Sequence, residues 1–267
     1  ILREIKLERP GRYFGVGLDD SGRYLAVGTE QGEVLLLDLK EERQIRTFQR
    51  ELGTLYEVKV VGSRLILSGR KGPIEELDWK TEKLISTYDK HGSSNEGLAL
   101  SPDRAYLLAG NHDGSIQYFD RKKGQKVFEI QNPFVNESNG CSDLISASIS
   151  RDGRYGALTG CGGRAILVDL QKGKIWKSIR ADPYFATEVA FSSDGKEVAV
   201  ALLKGKIRIF DLNTSQLKRE FLAPTSSGLQ FFLTYAYGGK RLISSGPYFP
   251  LRIFDMESHQ EVARIPG

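Results

Sequence analysis

The chain has 267 residues, 40% of them hydrophobic and 27% charged, with a net charge of +4. That balance belongs to a globular chain rather than a disordered or collagen-like one, and no run approaches the ~20 consecutive apolar residues of a membrane-spanning helix. The basic excess is small and no Lys/Arg run exceeds three residues, which argues against nucleic acid as a partner, since that calls for a basic stripe with interleaved aromatics.

In chain order, residues 1–11 come first and contain Ile-Leu-Arg-Glu-Ile-Lys-Leu-Glu, an alternating outer-strand pattern. Six similar stretches follow, over about 12–49, 50–89, 90–131, 132–180, 181–222 and 223–267. Their anchors are Leu37-Asp38, Leu77-Asp78, Phe119-Asp120, Val168-Asp169, Phe210-Asp211 and Phe254-Asp255, spaced 40 to 49 residues apart. Each stretch reads as four strands, a to d. Strand a, such as Glu188–Phe191, leads into a turn of Ser, Asp and Gly, such as Ser193-Asp-Gly-Lys196, residue types that hold local turns. Strand b, such as Tyr24–Gly28, ends in a Gly-bearing hairpin, such as Gln31-Gly32 or Asp113-Gly114. Strand c, such as Ile207–Phe210, is strongly apolar and ends on the anchor Asp, whose side chain is placed to hold the next turn. Strand d, such as Gln44–Phe48, alternates polar and apolar residues, as an outer strand with one wet face does.

A strand-built repeat of this period is the mark of propeller blades. No sustained helical stripe competes with it. The expected fold is all-β: a single β-propeller over 1–267, with six four-stranded antiparallel blades. Six a–b–c sets beside seven d-like strands leave one strand over. Residues 1–11 then form an outer strand that closes the last blade, or a fifth strand on an edge; alternatively the chain is a fragment of a seven-bladed propeller.

Ser192-Ser-Asp-Gly-Lys-Glu-Val-Ala-Val200 followed by Gly205-Lys-Ile-Arg-Ile-Phe-Asp211 resembles a WD40 repeat, and the resemblance to WD40-like repeats extends over 12–265. The Gly-His pair of that family is missing before every strand a, and Leu, Phe or Val stands where its Trp precedes Asp. The family's buried Asp–His–Ser/Thr–Trp network therefore cannot form, and blade stability is expected to rest on apolar packing and turn chemistry.

The resemblance implies a binding platform: a non-enzymatic scaffold docking a protein or peptide on the face formed by the d–a and b–c loops. Loops on a rigid scaffold are where function concentrates. The long loop 131–142 contains Phe134 and leads to Cys141; Cys161 follows strand b of the same blade. The two cysteines form either a disulfide or a pair of buried thiols. Tyr184, Phe185, Tyr248 and Phe249, in Pro-bearing loops of neighbouring blades, are candidate anchors together with Phe134 and Arg164. Glu57, Glu96, Asp143 and Glu188 fall at or near the starts of strands a, where they form an acidic channel mouth or simple solvated walls. His91 and His112 share one loop face; they are exposed loop residues or a partial metal site lacking a third ligand. No phosphate loop, nucleophile elbow or His-Glu-x-x-His is present, and no cofactor is expected. The alternatives are a channel-site enzyme or cofactor binder of the quinoprotein or haem type, and a propeller domain of a larger protein.

Overall fold

A computed structural model describes residues 12–88, 94–135, 141–222, 232–246 and 249–265, with Asn95 and Phe249 as backbone alone. It is a six-bladed β-propeller of four-stranded antiparallel sheets. The first sheet holds β1 (Tyr13–Leu18), β2 (Tyr24–Thr29), β3 (Glu33–Asp38) and β4 (Arg43–Gln49). The second holds β5 (Leu55–Val61), β6 (Arg64–Gly69), β7 (Ile74–Asp78) and β8 (Leu84–Tyr88). The third holds β9 (Asn95–Leu100), β10 (Tyr106–Asn111), β11 (Ser115–Asp120) and β12 (Gln125–Gln131). The fourth holds β13 (Leu144–Ile149), β14 (Tyr155–Gly160), β15 (Arg164–Asp169) and β16 (Lys174–Arg180). The fifth holds β17 (Ala186–Phe191), β18 (Glu197–Leu202), β19 (Lys206–Asp211) and β20 (Leu217–Leu222). The sixth holds β21 (Phe232–Ala236), β22 (Arg241–Gly246), β23 (Phe249–Asp255) and β24 (Glu261–Ile265). The outermost strand of this last sheet is thus the C-terminal β24. Residues 1–11, where a closing strand is expected, lie outside the described residues.

The chain divides into two compact units, 1–96 with 123–125, and 97–122 with 126–267. In the first unit, Leu36 and Phe48 of the first sheet pack with Leu55, Val58, Leu65, Leu67 and Leu77 of the second. Trp79 joins them, its indole donating to Gly62 O at 2.9 Å. Among the described residues the second unit has three such layers. Leu108, Leu144, Leu158 and Ile166 lie in the first of them, Leu167, Val189, Val200 and Phe210 in the next. Ile207, Ile209, Phe221, Leu242 and Phe254 form the last. Strands b and c read as apolar runs because both of their faces are covered: β18 is buried along its whole length, whereas the outer β16 alternates. The second sheet departs from the rule. Its strand c buries Glu75 and Glu76, the first held by Arg50 at 2.6 Å and the second by the Tyr88 hydroxyl at 2.7 Å. These charges are tolerated because each has a hydrogen-bonding partner.

One end of each sheet carries turns of a single design. Asp38, Asp78, Asp169, Asp211 and Asp255 each accept hydrogen bonds on Oδ1 from the backbone N–H groups two and three residues on, at 2.7–3.2 Å. The residue after each of the six anchors donates its N–H to the carbonyl just before strand b: Leu39 to Arg23, Trp79 to Ser63, Arg121 to Ala105, Leu170 to Arg154, Leu212 to Lys196 and Met256 to Lys240, at 2.8–3.0 Å. Four residues beyond the anchor, Glu42, Glu82, Gly124, Gly173, Ser215 and His259 all take a left-handed backbone, φ 52–63°. In the a–b turns, Ser101, Ser150 and Ser192 each donate to the Asp two positions on and accept an N–H from the residue five positions on at 2.9 Å.

These bonds lower the pKa of Asp38, Asp78, Asp211 and Asp255. Asp38, held first by the Arg23 guanidinium, and Asp78, held first by the Ser63 hydroxyl, are each brought from 3.8 to about 2. Asp211 and Asp255 are lowered chiefly by the N–H groups of Thr214 and Ser258.

Candidate functional site

At the opposite end of the sheets, the second unit brings several sequence-predicted residues into one loop cluster. Its frame is backbone. Cys161 N–H donates to Asp143 O at 3.0 Å, Gly162 N–H to Tyr184 O at 2.9 Å, and Ala181 and Asp182 N–H to Gly163 O at 2.8 and 2.9 Å. Cys161 also bridges Phe185 as an isolated antiparallel pair. The approach is so close that a Cβ at Gly160 would lie 1.8 Å from Asp143 O, so only glycine fits there. Strand entry is bulged between Leu144 and Ser146 and again between Ala186 and Glu188, which re-aims the side chains at those positions.

Within this frame Cys141 and Cys161 are bonded Sγ to Sγ, their Cα atoms 5.7 Å apart. Asp143 sits beside them, half-buried, and its Oδ1 lies 2.8 Å from His112 Nδ1. Burial raises the pKa of Asp143, an effect that His112 opposes. Ser142, the last residue of the long loop, donates its hydroxyl to His112 O at 2.7 Å and ties that loop to the β10–β11 turn. Arg164 places its guanidinium 4.5 Å from the Phe134 ring centre and donates to Ser178 Oγ at 2.9 Å. Tyr184 is 75% exposed, yet its N–H is held by Asp182 Oδ1 at 3.0 Å. An Asp two positions before the aromatic is a local turn signal, and it was available in the sequence. Phe185 is half-buried.

The other candidates do not join this cluster as a group. Glu57 pairs with Lys59 at 2.7 Å and Glu96 accepts from Ser94 Oγ at 3.3 Å, both in the first unit. Glu188 accepts from Ser146 Oγ at 2.6 Å, and the same oxygen takes the Val189 N–H at 3.2 Å. The four expected channel acids are each bonded to a different neighbour. His91 and Tyr248 lie outside the described residues, and of Phe249 only the backbone is described.

A family model described as "WD domain, G-beta repeat" matches residues 82–120, one repeat running from the outer strand β8 through β11. WD repeat-containing protein SL1-17 of Schistosoma mansoni is 27% identical over 162 residues, covering 60% of this chain and 51% of that protein. The chain carries WD40-like repeats. Telomerase protein component 1 of Mus musculus is 24% identical over 238 residues, 86% of this WD40-like chain but 8% of that protein. A U3 small nucleolar RNA-associated protein 4 homolog of Mus musculus is 26% identical over 224 residues, covering 78% and 31%. The chain spans about half the length or less of each of these three relatives. The WD40-like repeats here keep the anchor Asp and the turn glycines and dispense with the family's His and Trp, as the packing layers and turn bonds described above allow.

Proposed function

We propose that this WD40-like propeller is a scaffold that docks a protein or peptide at the d–a and b–c loop end of its sheets. Tyr184, Phe185, Phe134 and Arg164 are the described residues of the docking patch, and Tyr248 and Phe249 are its further candidates from the sequence. The observation that carries this reading is Tyr184, three-quarters exposed on a backbone pinned by Asp182 and Gly162. An exposed aromatic usually loses freedom when it binds; one already fixed at its backbone loses less, and Tyr and Arg are the residues that most often anchor interfaces. Relatives named as a component of telomerase and as an RNA-associated protein support a role inside an assembly. A platform of this kind serves equally as one module of a longer protein.

The test is affinity capture from the native source with the wild-type chain and with a Tyr184→Ala, Phe134→Ala, Arg164→Ala triple variant. The variant should keep its circular dichroism and lose its bound proteins, whereas Trp176→Ala, on outer strand β16, should keep both. Equal capture by the wild type and the folded triple variant would overturn the reading.

A further inference from the structure

Three metal-ligating side chains meet at one loop junction of the second unit, and a fourth, His112, pairs with one of them. The sulfurs of Cys141 and Cys161 and a carboxylate oxygen of Asp143 all lie within 4.8 Å of one another. His112 Nδ1 is 2.8 Å from the same aspartate. They arrive from three loops: the β10–β11 turn, the approach to β13 and the exit of β14. Their convergence is fixed without the disulfide, by Cys161 N–H to Asp143 O at 3.0 Å and Ser142 Oγ to His112 O at 2.7 Å. The glycine at 160 lets the first of these backbones approach.

We infer that when the disulfide is reduced this junction is a binding site for a thiolate-seeking divalent metal of the zinc class, held by Cys141, Cys161 and Asp143 with His112 completing the set. Two sulfurs, an imidazole and a carboxylate are a donor set that zinc takes in tetrahedral sites. Tetrahedral bonds of ~2.3 Å to sulfur set the two sulfurs about 3.8 Å apart, a separation that side-chain rotation reaches once the S–S bond is broken, the Cα atoms being 5.7 Å apart. His112 is 60% exposed, so its ring has room to turn from the carboxylate to a metal.

The disulfide and the metal compete for the same two sulfurs. A dithiol reductant supplies two electrons and two protons to break the S–S bond and is itself oxidised to a cyclic disulfide. Metal binding then releases the two thiol protons to solvent as two thiolate–metal bonds form.

The experiment uses the full chain, reduced with dithiothreitol and desalted without oxygen, and titrated with Co2+ and then Zn2+. One equivalent of Co2+ should give thiolate-to-cobalt charge-transfer absorption in the near ultraviolet and the intense visible bands of tetrahedral cobalt, and Zn2+ should displace it. The oxidised chain should give neither. Cys141→Ser with Cys161→Ser should abolish the charge-transfer band, and Asp143→Ala and His112→Ala should each weaken binding by roughly 10- to 100-fold. No charge-transfer band in the reduced wild type, or the same binding in the oxidised chain, would mean that the cysteines only staple the loop. Wild-type affinity in both Asp143→Ala and His112→Ala would overturn the ligand set.

Discussion

The a–b and c–d turns at one end of the sheets and the b–c and d–a loops at the other are held by different bonding. At the first end a few bonds recur sheet after sheet: the anchor Asp over two N–H groups, the following N–H closed onto the residue before strand b, and the Ser–Asp turn in three sheets. At the second end most side-chain bonds occur once, among them the Cys141–Cys161 link, His112 with Asp143, Arg164 over Phe134 and Asp182 under Tyr184. The recurring end needs only one chemistry, because its task is to reverse the chain. The other end spends different residues on each loop, which is how a scaffold acquires a particular surface.

The difference can be tested by substitutions at either end. The largest loss should come from Gly160→Ala, which drives a Cβ against Asp143 O: roughly 3 kcal/mol or more, read from urea unfolding, with Tyr184-dependent capture lost alongside. A folded variant of wild-type stability would show that this close approach is not needed. Opening the Cys141–Cys161 bond, which closes a separation of 20 residues, should cost about 3 kcal/mol in the chain-entropy model, seen as a lower midpoint in dithiothreitol and regained with excess Zn2+. At the recurring end, Ser150→Ala removes two hydrogen bonds from a buried turn and should cost about 1–2 kcal/mol. The same change at Ser101 or Ser192 should cost a similar amount; unequal costs would break the equivalence of those turns.

Acid should weaken the recurring end selectively. Asp38 and Asp78 have folded values of about 2 against 3.8 when free. Their contribution is therefore complete above the unfolded value and is lost as pH falls from about 4 to about 2. Asp78→Asn should flatten the slope of the unfolding midpoint across that window, and an unchanged slope would remove Asp78 from the account. The smallest effect should be a gain. Glu42, Glu82, Ser215 and His259 occupy the left-handed position that Gly124 and Gly173 fill elsewhere. Replacing each of the four by Gly should stabilise by a few tenths to about 1 kcal/mol, measurable additively in a combined variant.

The sequence made the repeat, the anchor Asp residues and the hairpin glycines legible, because each is a residue type tied to a local backbone need. The left-handed position was hidden for the complementary reason: four of its six occupants are not glycine, so nothing in their side chains announces the geometry. The buried Glu75 and Glu76 were equally silent, since their partners Arg50 and Tyr88 stand 25 and 12 residues away. The loop cluster was half visible. Cys141 and Cys161 face each other across one hairpin and could be matched by counting, but His112 reaches Asp143 from the preceding sheet, a pairing set by how sheets stack. A pair of histidines lacked a third ligand on paper; folding brings one of them, His112, to Asp143.

The closure of Leu39, Trp79, Arg121, Leu170, Leu212 and Met256 onto carbonyls of their own sheets bears on how such a chain changes over generations. Each blade carries its own clasp at the turn end, so a copied or exchanged repeat arrives with that end already fastened. What a newcomer must match is the apolar layer toward its neighbours, a requirement of size and shape that many sequences meet. Duplication can therefore lengthen or renew the array while the singular loops at the far end diverge from one another.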